Sequence, residues 1–176
     1  VGSGYNVAGP ARQPDGSRLV DTLSPRITAN AVQYNGKVYS TATVQADAAI
    51  GDFAAVRWTV VDATTGLLLS SGKIQDAGFD YHEGSIAINE FGEAVIGYNR
   101  SGTTTADGNG DGLADGNISF MARAYDASGN LLVQDGGEML LRVSGISDYR
   151  CGARTPVDTA CRQRWGDYAA ATIDPN

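Results

Sequence analysis

One half of this chain is laid out like the other, and no other feature narrows its possible folds as much. The stretch AVQYNGKVYSTATV, residues 31–44, places alternating apolar residues on both sides of Asn35-Gly36. That dipeptide is the strongest two-residue hairpin signal, because both of its residues accept positive φ. The stretch SIAINEFGEAVIGYN, residues 85–99, has the same form around Phe91-Gly92. After each comes a second hairpin pattern, VRWTVVDATTGLLLSSGKI over 56–74 and MARAYDASGNLLVQDGGEM over 121–139. The first turns at Thr64 to Gly66 and the second at Ser128 to Asn130. The repeat interval is about 55 residues, the length of a four-stranded unit with an insertion.

A third copy begins at the end. AAATIDPN, residues 169–176, has the form of GSIAINEF, residues 84–91, a short strand running into its turn. The expectation is therefore an all-β chain of antiparallel, blade-like sheets. It forms part of a β-propeller or an open, sandwich-like piece of one. Residues 1–26 are an N-terminal extended arm, turn-rich and weakly periodic. Residues 27–176 form one β domain, with units at 27–78 and 82–147 and the start of a third at 166–176. The last strand then pairs elsewhere or belongs to a longer chain. Without an initiator Met or a leader, the sequence reads as a mature or trimmed product.

Composition supports a packed core, with 42% hydrophobic residues, and 23 glycines suit many tight turns. A formal net charge of -7 repels phosphate backbones, so nucleic acid is a poor partner. No apolar run reaches the roughly 18 residues of a membrane helix, and no basic amphipathic segment suggests membrane docking.

Cys151 and Cys161 enclose a short loop containing Pro156. A disulfide in an oxidising compartment is the expectation, and it carries secretion with it. Two reduced thiols or a metal pair are the alternatives. A zinc site wants four ligands, and the one histidine, His82, is remote in sequence.

The densest chemistry lies in DGNGDGLAD, residues 107–115. Asp107, Asn109, Asp111 and Asp115 supply hard oxygens at near-alternate positions, with Gly112 where a calcium loop needs its sharp turn. The carbonyl of Leu113 completes the expected Ca2+ ligand set. The twelfth position, where an EF-hand carries a bidentate acid, holds Ile118. The loop thus resembles the helix-free calcium loops of dockerin-like and thrombospondin-type repeats. A single loop of this kind binds weakly, at roughly 10⁻⁴ to 10⁻³ M, and its role is to brace a strand connection. The alternative is an unliganded Asp/Gly turn.

The phrase RWGDYAAATIDPN, residues 164–176, is similar to a Trp-Gly-Asp-Tyr signature of secreted bacterial β-propeller proteins, some of them sialidase-like. SIAINEFGEAVIGYNRSG, residues 85–102, resembles their blade-opening strands. The likeness covers most of 27–176. It implies propeller architecture and an extracellular place. It does not imply glycoside hydrolysis, because the chain has no S-x-D-x-G-x-T-W box and no assignable arginine triad or Tyr/Glu pair.

Trp165, Asp167 and Tyr168, with Arg164, are candidates for a carbohydrate-stacking patch. The alternative is that Trp165 packs at a junction between sheets. Trp58, alternating with Val56 and Val60, reads as packing. His82-Glu83 reads as a surface pair, without the second histidine of a zinc-protease helix. Asn99-Arg100-Ser101 and Asn117-Ile118-Ser119 are glycosylation sequons flanking the calcium-type loop.

The leading functional expectation is a secreted or cell-surface module with a structural or binding role, its partners being glycans, the remainder of a longer chain or further copies. No catalysis is expected within the chain. One alternative is a fragment of a sialidase-like hydrolase. Another is a filament subunit completed by a neighbour's N-terminal arm.

Overall fold

A computed structural model describes residues 8–14, 20–22, 27, 29–132, 137–145, 165 and 170–172. Eight strands form two antiparallel four-stranded sheets, and among the described residues there is no α-helix. The first sheet runs in chain order through β1 (Val32–Tyr34), β2 (Lys37–Gln45), β3 (Ala54–Asp62) and β4 (Leu68–Ile74). The second sheet does the same through β5 (Phe79–Ile88), β6 (Ala94–Gly102), β7 (Ser119–Tyr125) and β8 (Met139–Val143). The expected all-β antiparallel meanders are present, and neither sheet closes on itself.

The turns follow from residue chemistry. Asn35 and Gly36 sit at φ 45 and 71, the left-handed pair that a two-residue hairpin demands, with Tyr34 opposite Lys37. Asp62 closes the β3–β4 turn by accepting the backbone amides of Thr64 and Thr65 at 3.0 and 2.7 Å. Asp126 does the same after β7, accepting from the amides of Ser128 and Asn130. The fourth hairpin turns where the sequence pattern puts it: Leu131 bridges Tyr125 and the Leu132 amide donates to the carbonyl of Ala124 at 2.8 Å. Its named return strand, β8, starts at Met139.

The sheets pack face to face, with β5 lying across β2 and β3. Val56 and Ile74 of the first sheet meet Tyr81, Ile88, Ile96 and Tyr98 of the second. Each of these six is at most 2% exposed, and burying each such side chain stabilises the fold by roughly 1.5–3 kcal/mol. A second cluster, Val44, Ala46 and Ala55, lies on the far face of the first sheet under Ile50 and Phe53. A third gathers Ala11, Val20 and Ile118 beneath Trp165. Ala11 and Val20 exchange backbone hydrogen bonds at 2.8 Å, so the N-terminal segment folds back on itself where it meets the second sheet.

Candidate functional site

The chain's most unusual chemistry is buried at one end of the second sheet. The β5–β6 ladder runs regularly until His82 faces Asn99, then resumes with Ser85 facing Gly97. The bulge between them holds Glu83 at φ 53, a conformation that costs a non-glycine residue roughly 1–3 kcal/mol. Such a bulge re-aims a side chain. Here it brings the Glu83 carboxylate to Asn99, whose Nδ2 donates to Glu83 Oε2 at 3.1 Å. Asn99 Oδ1 in turn accepts the indole N–H of Trp165, also at 3.1 Å.

The bulge is clamped from the first sheet. The backbone amide of Glu83 donates to Thr43 Oγ1 at 2.9 Å, and Thr41 Oγ1 donates to the carbonyl of Gly84 at 2.5 Å. Gly84 is required there, because a Cβ would stand 2.5 Å from Val56 Cγ1.

Asp80, at the start of β5, ties in the N-terminal segment. Its Oδ2 accepts the backbone amide of Arg12 at 2.9 Å and its Oδ1 accepts that of Ala54 at 2.8 Å. The Arg12 guanidinium lies 3.3 Å from Oδ2 and stacks over Phe53 at 4.2 Å. Burial pushes the Asp80 carboxyl above its ordinary value, opposed by the two amides and by Arg12.

His82 and Glu83 are both fully buried, not the surface pair expected from the sequence. His82 Nδ1 lies 3.9 Å from Glu83 Oε2, too far for a hydrogen bond, and neither ring nitrogen has a hydrogen-bond partner among the described residues. Burial holds its pKa down at about 4, against an upward pull from Asp21, so the ring is neutral at pH 7. Asp80, His82, Glu83 and Asn99 form a group whose members are each at most 2% exposed. It joins β5, β6, the N-terminal segment and Trp165.

A second polar group lies on the inner face. Glu138 receives the Tyr98 hydroxyl, which also accepts from Arg123 Nε at 3.1 Å, and pairs with Arg100 at 2.6 Å. Burial, reinforced by Glu138, pushes the Tyr98 hydroxyl far above its ordinary value.

The calcium-type loop joins β6 to β7. Asp107, Asn109 and Asp111 are exposed, while Leu113 and Asp115 are half-buried. The carboxylate of Asp107 accepts the amides of Gly110, Asp111 and Gly112 at 2.7, 3.1 and 2.9 Å. Asp111 Oδ1 caps Leu113, and Asp115 Oδ2 caps Gly108. Gly110 and Gly112 hold φ 74 and 83, which lets the backbone coil round Asp107. The donors are hard oxygens, as Ca2+ requires. Among the described residues, however, no three acids, histidines or cysteines converge on one point.

Of the other candidates from the sequence, Trp165 is half-buried and packed on Ala11, Val20 and Ile118, its N–H engaged by Asn99. Asp167, Tyr168, Cys151 and Cys161 lie outside the described residues. Both sequon asparagines are buried, Asn117 donating to the carbonyl of Ser144 at 3.0 Å. Sequence reasoning missed the Asp80–His82–Glu83–Asn99 group. The available signal was Gly84, an isolated glycine inside a strand pattern, which marks a bulge or a close backbone approach. Compared with models of known families, with curated proteins and with solved structures, the chain matches none.

Proposed function

We propose that the chain is a non-catalytic, extracellular structural and binding module. Its two sheets are adjoining blades of a propeller-type stack that continues over the outer face of the second sheet. The observation that carries this reading is the direction of stacking. In β2 the hydrogen bond from Ala46 to the carbonyl of Phe53 places the even-numbered residues in bonding register with β3. Tyr39, Thr41 and Thr43 therefore turn their backbone bonding groups to the β1 side of the strand, and they stand on the face covered by the second sheet. In β6 the bond from Asn89 to the carbonyl of Glu93 places Val95 and Gly97 in register with the preceding strand, β5. For L-residues, strand direction and bonding side together fix the face on which the side chain stands. Val95, Gly97 and Asn99 thus occupy the counterpart of the covered face, but on the side of the second sheet turned away from the first. Front-to-back stacking extends to a third sheet, whereas a closed two-sheet sandwich buries two fronts against each other.

That outer face is apolar. Val95 is 42% and Leu141 56% exposed, and Phe120, Ala122 and Leu132 line a groove of about 550 Å³ with them. Ala170, Ala171 and Thr172, the start of the third repeat in sequence, line the same groove. The occupant proposed is a third sheet of the same kind, from further chain or from another copy. The described N-terminal residues are seated on the chain's own second sheet, which favours this reading over donation of the arm to a neighbour.

Within this module the loop at Asp107–Asp115 is proposed as a weak Ca2+ brace, with Asp107, Asn109, Asp111, the Leu113 carbonyl and Asp115 as ligands. Cys151–Cys161 is proposed as a disulfide of a secreted chain.

The test is to make Val95→Lys and Leu141→Lys in the protein as its host produces it, measuring melting temperature and mass by light scattering. A covered face predicts that each lysine lowers the melt by several degrees or dissociates an assembly. If both variants match the parent in melt and mass, the face is open to water and the stacking proposal fails.

A further inference from the structure

A cleft at the open end of the inter-sheet space is lined by Tyr39, Trp58 and Tyr125, with Ile86 and Ile96 beneath and Asp126 at the side. The Trp58 and Tyr125 rings are 6.4 Å apart between centroids and tilted by 56°, so they form two walls and not a stack. Trp58 is fixed in place. Its indole lies against Gly72, where a Cβ would come within 2.5 Å of the ring. Tyr34 buttresses the same end, its hydroxyl donating to the carbonyl of Glu90 at 2.7 Å.

The cavity is about 80 Å³, against roughly 300 Å³ and upward for pockets that take drug-sized ligands. That size favours a compact head group over a sugar ring. Among the described residues that line it there is no Lys or Arg, and the one charged group is the Asp126 carboxylate. Three aromatic side chains and an acid line the cleft of a chain with net charge -7, a set that complements a soft cation.

We infer that this cleft is an aromatic cage for a quaternary ammonium group of the choline type, with Tyr39, Trp58 and Tyr125 as walls and Asp126 as counter-charge. The cation sits over the ring faces, where it loses little hydration because its methyl groups form no hydrogen bonds with water. The cage lies between the two described sheets, so it stands independently of whether a third sheet covers the outer face.

The test is titration of the ¹⁵N-labelled protein with choline chloride and, separately, with 3,3-dimethylbutan-1-ol, its neutral carbon isostere. The expected result is a saturable shift of the Trp58 indole N–H signal with choline while that of Trp165 stays in place, the isostere binding roughly tenfold more weakly. Asp126→Asn keeps the oxygen that accepts the Ser128 and Asn130 amides but removes the charge and the acceptor of the Asn130 side chain, and should weaken choline several-fold in a protein that still folds. Tyr39→Leu should weaken it further. No shift with choline in the folded protein overturns the inference. Equal binding of the isostere, or an Asp126→Asn variant with undiminished affinity, overturns it as well and marks a plain apolar pocket.

Discussion

Trp165 donates its indole N–H to Asn99 Oδ1 at 3.1 Å, and the amide of Asn99 donates to Glu83 Oε2 at the same distance. Asn99 therefore links a strained bulge in β5 to an aromatic ring about 65 residues further along the chain. The first sheet has a counterpart. Thr43, at the same spacing from its hairpin glycine, accepts the backbone amide of Glu83. On each sheet, this β2 or β6 position takes a hydrogen bond from the segment that follows the sheet. Polar junctions of this kind fix register between apolar faces that could otherwise slide.

Asn99→Ala removes an acceptor from the half-buried Trp165 and a donor from the fully buried Glu83. Each buried polar group left short of a partner costs about 1–3 kcal/mol, so the variant should lose on the order of 2–4 kcal/mol. Urea denaturation measures this directly. A loss below about 0.5 kcal/mol, the range of ordinary surface changes, would show that the junction carries no stability.

Much of the fold was legible because its signals are local. Asn35-Gly36, Thr64–Gly66 and the alternation of Val56, Trp58 and Val60 each report on a few neighbouring residues, and all three appear where the pattern puts them. The buried group was not legible. His82 and Glu83 look solvated in sequence, yet both are fully buried, and the Asn99 that bonds Glu83 is in turn engaged by Trp165 from far along the chain. The fourth hairpin was legible at its turn, where Leu131 bridges Tyr125 and the Leu132 amide bonds Ala124, but the start of β8 at Met139 was not. Register between distant strands is set by packing, which linear spacing does not encode.

Gly84→Ala tests a close approach of the two sheets. The added methyl would meet Val56 Cγ1 at 2.5 Å and Thr41 Cβ at 3.3 Å, so overpacking should cost about 1–3 kcal/mol. Gly145→Ala, where nothing among the described residues lies within 4 Å, serves as the neutral control. Combining Gly84→Ala with Val56→Ala should cost less than the sum of the two single changes. Strict additivity in thermal melts would place the strain elsewhere.

The calcium brace predicts a stability that depends on the cation. With a Kd of roughly 10⁻⁴ to 10⁻³ M, about 10 mM Ca2+ should add about 1.4–2.7 kcal/mol over chelator. Asp107→Ala is the wrong probe, because Asp107 also holds the amides of Gly110, Asp111 and Gly112. Asp111→Asn keeps an oxygen for the Leu113 amide while removing a charged ligand, and should abolish the calcium response with little effect on the chelated melt. Identical melts of the parent with calcium and with chelator would remove the brace.

His82 makes stability depend on pH, with a sign that can be worked out. In the unfolded chain the ring titrates near 6.5, whereas burial holds the folded value at about 4. Between those values the unfolded state binds the proton and the native state does not, so acid favours unfolding. The contribution is fully present above pH 6.5 and is lost as the pH falls toward 4, a drop of about 3 kcal/mol across that window. Among the described residues the imidazole makes no hydrogen bond, so His82→Leu should forfeit little at pH 7, within about 1.5 kcal/mol for a near volume-conserving change. Denaturation midpoints at pH 7, 5.5 and 4.5 should therefore fall steeply in the parent and more gently in the variant. Parallel curves for the two proteins would mean that His82 takes up its proton in the native state, and that its burial exerts no leverage on stability.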